Sequence, residues 1–187
     1  PMENRSYETT ARKMDTMPPG IPYIIGNEAA ERFSFYGMRT ILTIFMVNYL
    51  WLMGSSPIER MTDTVAKTQF HNFVSLVYFT PIAGALLADL FFGKYRVIVL
   101  LSIVYCLGHG ALAIMGMWGE ASFWLMMGLW LIAIGSGGIK PCVSAHVGDQ
   151  FGSQNRHLLP RIFNWFYWSI NLGAFLSTLL TPWLLEW

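Results

Sequence analysis

The stretch IIGNEAAERFSFYGMRTILTIFMVNYLWLM (residues 24–53) is almost wholly apolar from Phe33 onward, yet it carries Glu28, Glu31 and Arg32 in its first third and Arg39 soon after. On a helix, positions 28, 32, 36 and 39 follow one another up a single side, so Glu28, Arg32, Tyr36 and Arg39 form one stripe with Glu31 beside it. Each charge at mid-bilayer costs about 2.5–3.5 kcal/mol on insertion scales, and such residues persist where they face a bundle interior or a watery cavity and pair with one another. Glu28 and Arg32 alone, four apart, would suffice for a structural ion pair. Two acids and two bases sharing a face with a tyrosine exceed what packing requires. Carboxyl groups in such a place can take up and release protons, and guanidinium groups can attract a carboxylate.

A further cation, Lys140, stands in GSGGIKPC, deep inside another apolar segment. Snorkelling is the ordinary account of a lysine near a helix end, but further apolar or small residues separate Lys140 from the next loop, and it reads as cavity-facing. Gly135, Gly137 and Gly138 beside it fail the G-x-x-x-x-G-K-[ST] spacing of a phosphate loop. They read as small residues that let helices approach closely. His71 opens the second apolar segment and by itself is an interfacial or packing residue. His71, His109, His146 and His157 lack ligand spacing, and there is no H-E-x-x-H, so no metal and no cofactor is expected. An intramembrane enzyme using Glu28 and Glu31 as an acid/base pair would also need a nucleophile, metal or water site that the sequence does not offer. Cys106 and Cys142 lie in apolar segments and read as small core residues.

These residues need long apolar helices to position them, and the composition provides them. The chain is 54% hydrophobic and 12% charged, against about a quarter charged in soluble domains, and several apolar runs approach the roughly 20 residues that cross a bilayer. The fold class expected is an all-α, polytopic membrane protein. Residues 1–20 are a polar, flexible or surface tail ending in Pro-Pro-Gly, and residues 21–187 hold five spans near 21–51, 70–92, 97–118, 123–147 and 162–187. Pro81 is expected to kink the second. Trp51, Trp118 and Trp187 suit an interfacial belt. No cleavable signal peptide is visible, and a net charge of +1 gives no reason to expect a nucleic-acid partner. Lys94, Arg96, Arg156 and Arg161 follow the second and fourth spans, against Arg60 and Lys67 after the first, which puts the N-terminus in the cytoplasm. An odd number of helices ending on an apolar tail suggests part of a longer chain.

EAAERFSFY, Glu28–Tyr36, resembles the E-x-x-E-R-F-x-Y-Y signature of the proton-dependent oligopeptide transporter family, departing at Phe35 where the family usually has tyrosine. FTPIAGALLADLFFGKYR (Phe79–Arg96), GSGGIKPCVSAHVGDQF (Gly135–Phe151) and FYWSINLG (Phe166–Gly173) resemble that family's second, fourth and fifth helices, in order. The resemblance implies a major facilitator fold, two six-helix bundles about a central cavity, of which this chain supplies an N-terminal part of about five helices. It implies a proton-coupled symporter of di- and tripeptides, not an enzyme, working by alternating access in a cell (inner) membrane. The partners would be peptides, protons, membrane lipid and the missing C-terminal half.

In that frame Glu28 and Glu31 carry protons, and His71, ten residues before Pro81 as in animal members, takes part in proton handling. Lys140 pairs with a first-helix glutamate and receives the peptide's C-terminal carboxylate, aided by Arg32 and Arg39. Tyr36, Tyr78, Tyr167 and Asn171 line the peptide site, and Asp89, in a G-x-x-x-D-x-x-x-G-[KR] loop motif, stabilises a gate. A same-family carrier of nitrate or another small organic solute, an intramembrane enzyme, and a structural membrane subunit are the alternatives.

Overall fold

The computed structural model describes residues 10–54 and 59–186, so Trp187 and the first part of the N-terminal tail lie outside the described residues. Every regular element among the described residues is helical: α1 (Ile21–Asn48), α2 (Asp63–Leu87), α3 (Lys94–Ile114), α4 (Ala121–Asp149) and α5 (Leu159–Glu186). Pro22 sits in the first turn of α1, where its missing N–H costs nothing. Thr62 caps α2 by accepting from the Val65 N–H at 3.4 Å, and Asp63 adds a negative charge where the helix dipole favours it. The helix thus begins at Asp63, ahead of the apolar run near 70–92. At its other end α2 widens into a π-helical turn, Ala88–Phe92, and stops at Gly93. Gly93 has φ +77°, a left-handed conformation that makes the tight GKYR turn possible.

Four helical stretches, Asp63–Phe92, Lys94–Ile114, Ala121–Asp149 and Arg156–Glu186, are long and apolar enough to cross a membrane. α1, at 28 residues, has the length, but Glu28, Glu31, Arg32 and Arg39 take it out of that apolar set. Its place in the bundle therefore depends on where those charges go.

α4 is the central element, packed along both α2 and α3, while α5 lies along α1. Small residues set these distances. A Cβ on Gly84 of α2 would strike the backbone of Gly138 on α4, and one on Gly137 would strike Thr80. A Cβ on Gly173 of α5 would stand 2.6 Å from the Ala29 carbonyl of α1. Thr80 Oγ1 also donates across to the Ala133 carbonyl at 2.9 Å. This is the packing that small residues permit where lipid tails remove the hydrophobic drive between helices.

Two apolar clusters fill the interior. Phe35, Leu42, Met46, Phe73, Val77, Leu125 and Leu129 belong to one; Ile21, Val97, Leu101, Ile139, Val143, Ile162 and Phe166 belong to the other. Along α1 the charged turn Glu28–Arg32 falls between Ile21 and Phe35, at the junction of the two clusters.

The two ends of the bundle differ. At one, Gly54 after α1 lies against Gly119 before α4, with Trp51 and Trp118 exposed nearby in the chain. At the other, Lys94 Nζ pairs with Asp149 Oδ2 at 2.7 Å, tying the start of α3 to the end of α4. The tail meets this same end: buried Asn155 donates to the Thr16 carbonyl at 3.0 Å and accepts from the Gly152 N–H at 2.9 Å.

Candidate functional site

The centre of the site is one helical turn. Arg32 Nε donates to Glu28 Oε1 at 2.7 Å and stands 3.1 Å from Glu31 Oε2. Glu28 and Arg32 are only 4% and 6% exposed, so one guanidinium is shared between two carboxylates out of water. Helical spacing makes the geometry unavoidable: Glu28 is one turn below Arg32 and Glu31 is its chain neighbour. Neither Glu31 carboxylate oxygen makes a well-formed hydrogen bond among the described residues. The hydroxyl of Ser136, itself buried and unbonded, lies near it from α4.

Lys140 comes to this turn from α4, one turn beyond Ser136. Its ammonium interacts electrostatically with Arg32, Glu31, Glu28 and Arg39. Among the described residues it forms no ion pair; instead Nζ lies 5.5 Å from the centroid of Phe35 and 5.9 Å from that of Tyr78. Both distances suit a cation–π contact. Phe35 is buried at 4%, while Tyr78 is 71% exposed, so the lysine is covered on one side and open on the other. An ammonium held this way can receive an anion without first breaking a salt bridge.

Above the charged turn, Tyr36 stands edge-on to Phe35, with ring centroids 5.6 Å apart. Arg39 lies over the Phe70 ring at 5.6 Å, and the exposed His71 meets the same ring edge-on at 5.7 Å. Arg39, Phe70 and His71 thus form a layer joining α1 to the start of α2.

The other sequence candidates stand apart. Tyr167 and Asn171 share an exposed face of α5. Asn171 Nδ2 bonds the Tyr167 carbonyl at 2.9 Å, and the Tyr167 ring stacks on Phe163 at 6.3 Å. No hydrogen bond or ring contact links them to Lys140 among the described residues. Asp89 is exposed in the π-helical turn and makes no ion pair among the described residues; the acid that pairs with the GKYR lysine is Asp149.

Sequence reasoning passed over Phe35 as a lost hydroxyl, Ser136 and Tyr105. Phe35 lies three residues past Arg32 and Ser136 one turn before Lys140, so helical spacing held a signal for both. Tyr105 of α3 reaches the charged turn through its hydroxyl, and nothing in its apolar surroundings marks it.

The model of the POT family matches residues 95–187. "Solute carrier family 15 member 2" of Danio rerio is 44% identical over 170 residues, covering 88% of this chain and 22% of the relative. The crystal structure of the POT family transporter PepTSo is 48% identical, with a TM-score of 0.80 over 91% of this chain and 33% of its own. A proton dependent oligopeptide (POT) family transporter is 51% identical, with a TM-score of 0.76 over 89% and 35%. The chain therefore spans about a fifth of the length of the curated relatives it matches and about a third of the solved chains. It belongs to the POT family, a family of transporters, as a multi-pass membrane protein whose helices form the N-terminal part of that family's major facilitator fold.

Proposed function

We propose that this chain is part of a proton-coupled symporter of di- and tripeptides that works by alternating access. The observation that carries the reading is the contrast on one face: a buried Glu28–Arg32–Glu31 ion triad opposite Lys140, a cation resting on two ring faces. Glu28 and Glu31 are the proton carriers, and Lys140 receives the peptide's C-terminal carboxylate. Arg32 and Arg39 add positive potential. Tyr36, Tyr78, Tyr167 and Asn171 line the path, His71 assists proton entry, and Asp89 acts at the gate. The peptide's amine meets an acid supplied by the rest of the transporter.

Coupling follows from competition for the same cations. With Glu31 ionised, Arg32 is shared between two carboxylates, and the charges of Glu28, Glu31, Arg32 and Lys140 cancel. Protonating either acid releases positive potential toward Lys140, and a peptide carboxylate can then bind. One proton crossing 100 mV supplies about 2.3 kcal/mol, and one pH unit about 1.36 kcal/mol.

The protein sits in a cell membrane with its N-terminus in the cytoplasm, supported by the basic residues Lys94, Arg96, Arg156 and Arg161 gathered at the end where the tail packs. The test is uptake of a labelled dipeptide by proteoliposomes containing the full-length transporter, with and without an inward proton gradient. Accumulation above equilibrium only with the gradient is expected. Nitrate uptake without dipeptide uptake would assign the alternative substrate class, and absence of both would overturn the reading.

A further inference from the structure

We propose that Tyr105 of α3 is a positioning residue for Glu31, clamping the charged turn of α1 so that its two carboxylates share Arg32; this rests on Glu31 being a proton carrier. α3 packs along α4 rather than along α1, yet Tyr105 crosses to α1. Its hydroxyl lies 2.5 Å from Ser34 Oγ and donates to the Glu31 carbonyl at 3.2 Å. Ser34 Oγ lies 3.0 Å from that same carbonyl, and the two hydroxyls, with one proton each, share the 2.5 Å contact and the carbonyl between them. Two hydroxyls thus converge on the backbone oxygen of Glu31, the acid of this turn whose carboxylate lacks a well-formed hydrogen bond among the described residues.

The crossing has its own notch. A Cβ on Gly135 of α4 would stand 2.7 Å from Tyr105 Cβ and 2.8 Å from its Cα, so only glycine there lets α3 come close enough for the ring to reach past α4. Tyr105 is 7% exposed, and His109, one turn on, braces it edge-on at 4.6 Å.

The clamp acts on orientation. Arg32 Nε is 2.7 Å from Glu28 and 3.1 Å from Glu31, so a small rotation of this turn changes how the guanidinium is divided between them. The charged or titratable groups around Glu31 are Arg32 and Glu28 on α1, Lys140 on α4 and Tyr105 on α3, with Cys106 and His109 beside Tyr105. α5 meets this turn through Gly173 against the Ala29 carbonyl and brings no charge there. Releasing the clamp changes the balance at Glu31 while leaving Lys140, and so peptide binding, in place.

The experiment measures the pH profile of gradient-driven dipeptide uptake by the full-length transporter for wild type, Tyr105→Phe, Ser34→Ala and Glu31→Gln. Tyr105→Phe keeps the ring and its volume and removes only the hydroxyl. We expect its pH midpoint to move by about 0.3–1 unit, the range that losing one hydrogen bond generates. Ser34→Ala should move it in the same direction, and the KM for counterflow at acidic pH should stay at the wild-type value in both. A lower maximal rate with an unmoved midpoint would make Tyr105 merely structural and overturn the proposal. With Glu31→Gln inactive in accumulation, that result leaves the proposed function standing. Full accumulation by Glu31→Gln would overturn both.

Discussion

Among the described residues, Arg32 on α1 touches two carboxylates, at 2.7 and 3.1 Å, whereas Lys140 on α4 touches none and lies over two aromatic rings at 5.5 and 5.9 Å. Both are cations within a membrane bundle, and they are stabilised by different means. Arg32 is fixed: its planar guanidinium is shared between acids one turn and one residue away, and it keeps a carboxylate partner when either acid is protonated. Lys140 is poised: ring faces contribute about 0.5–2 kcal/mol each, less than the roughly 1.5–3 kcal/mol of a charge-assisted hydrogen bond. An incoming carboxylate adds the stronger contact while the ammonium stays over the rings. The first arrangement suits storing a proton, and the second suits a ligand that comes and goes.

The comparison breaks first on its Arg32 side. Glu28→Gln and Glu31→Gln should each abolish gradient-driven peptide accumulation, while counterflow, which moves no net proton, survives at least partly in one of them. Uptake assays with and without a gradient check this, and full proton-driven uptake by both variants would reduce the triad to a structural ion pair. On the other side, Lys140→Gln should lower peptide affinity by about 10- to 150-fold, read from binding isotherms on the purified transporter.

Two smaller changes sharpen the contrast. Gly137→Ala would drive a methyl into Thr80 and the Val77 carbonyl, parting α4 from α2 and Lys140 from Tyr78. Overpacking of this kind costs about 1–3 kcal/mol, and thermal unfolding of the transporter in detergent should show the lowered midpoint. Phe35→Leu removes one ring from beneath Lys140 while keeping the site apolar. Peptide affinity should change by only about 0.5–1 kcal/mol, because the ligand supplies the stronger partner; a loss as large as that of Lys140→Gln would mean that the ring itself holds the peptide.

The charged turn was legible in the sequence because helical periodicity and the cost of charge in lipid admit few other arrangements. Lys140 was legible for the same reason, and so were the glycines of α4, whose neighbours at Gly84 and Thr80 leave no room for a side chain. What covers Lys140 was not. Phe35 registered only as a missing hydroxyl, since the distance from a ring on α1 to an ammonium on α4 depends on how the two helices are turned. Tyr105 looks like any aromatic residue in an apolar helix until its hydroxyl is seen on the Glu31 carbonyl. The π-helical turn at Ala88–Phe92 leaves no mark in composition, and the partner of Lys94 lies 55 residues away at Asp149.

The central claim is that Lys140 stands open for a peptide carboxylate while Arg32 does not. Its most direct test pairs Lys140→Gln with amidation of the dipeptide's C-terminus and measures all four affinities on the full-length transporter. If Lys140 contacts the carboxylate, the substitution weakens the free dipeptide by about 10- to 150-fold and leaves the amidated one nearly unchanged. Additive losses would contradict the account and move the carboxylate to Arg32 or Arg39.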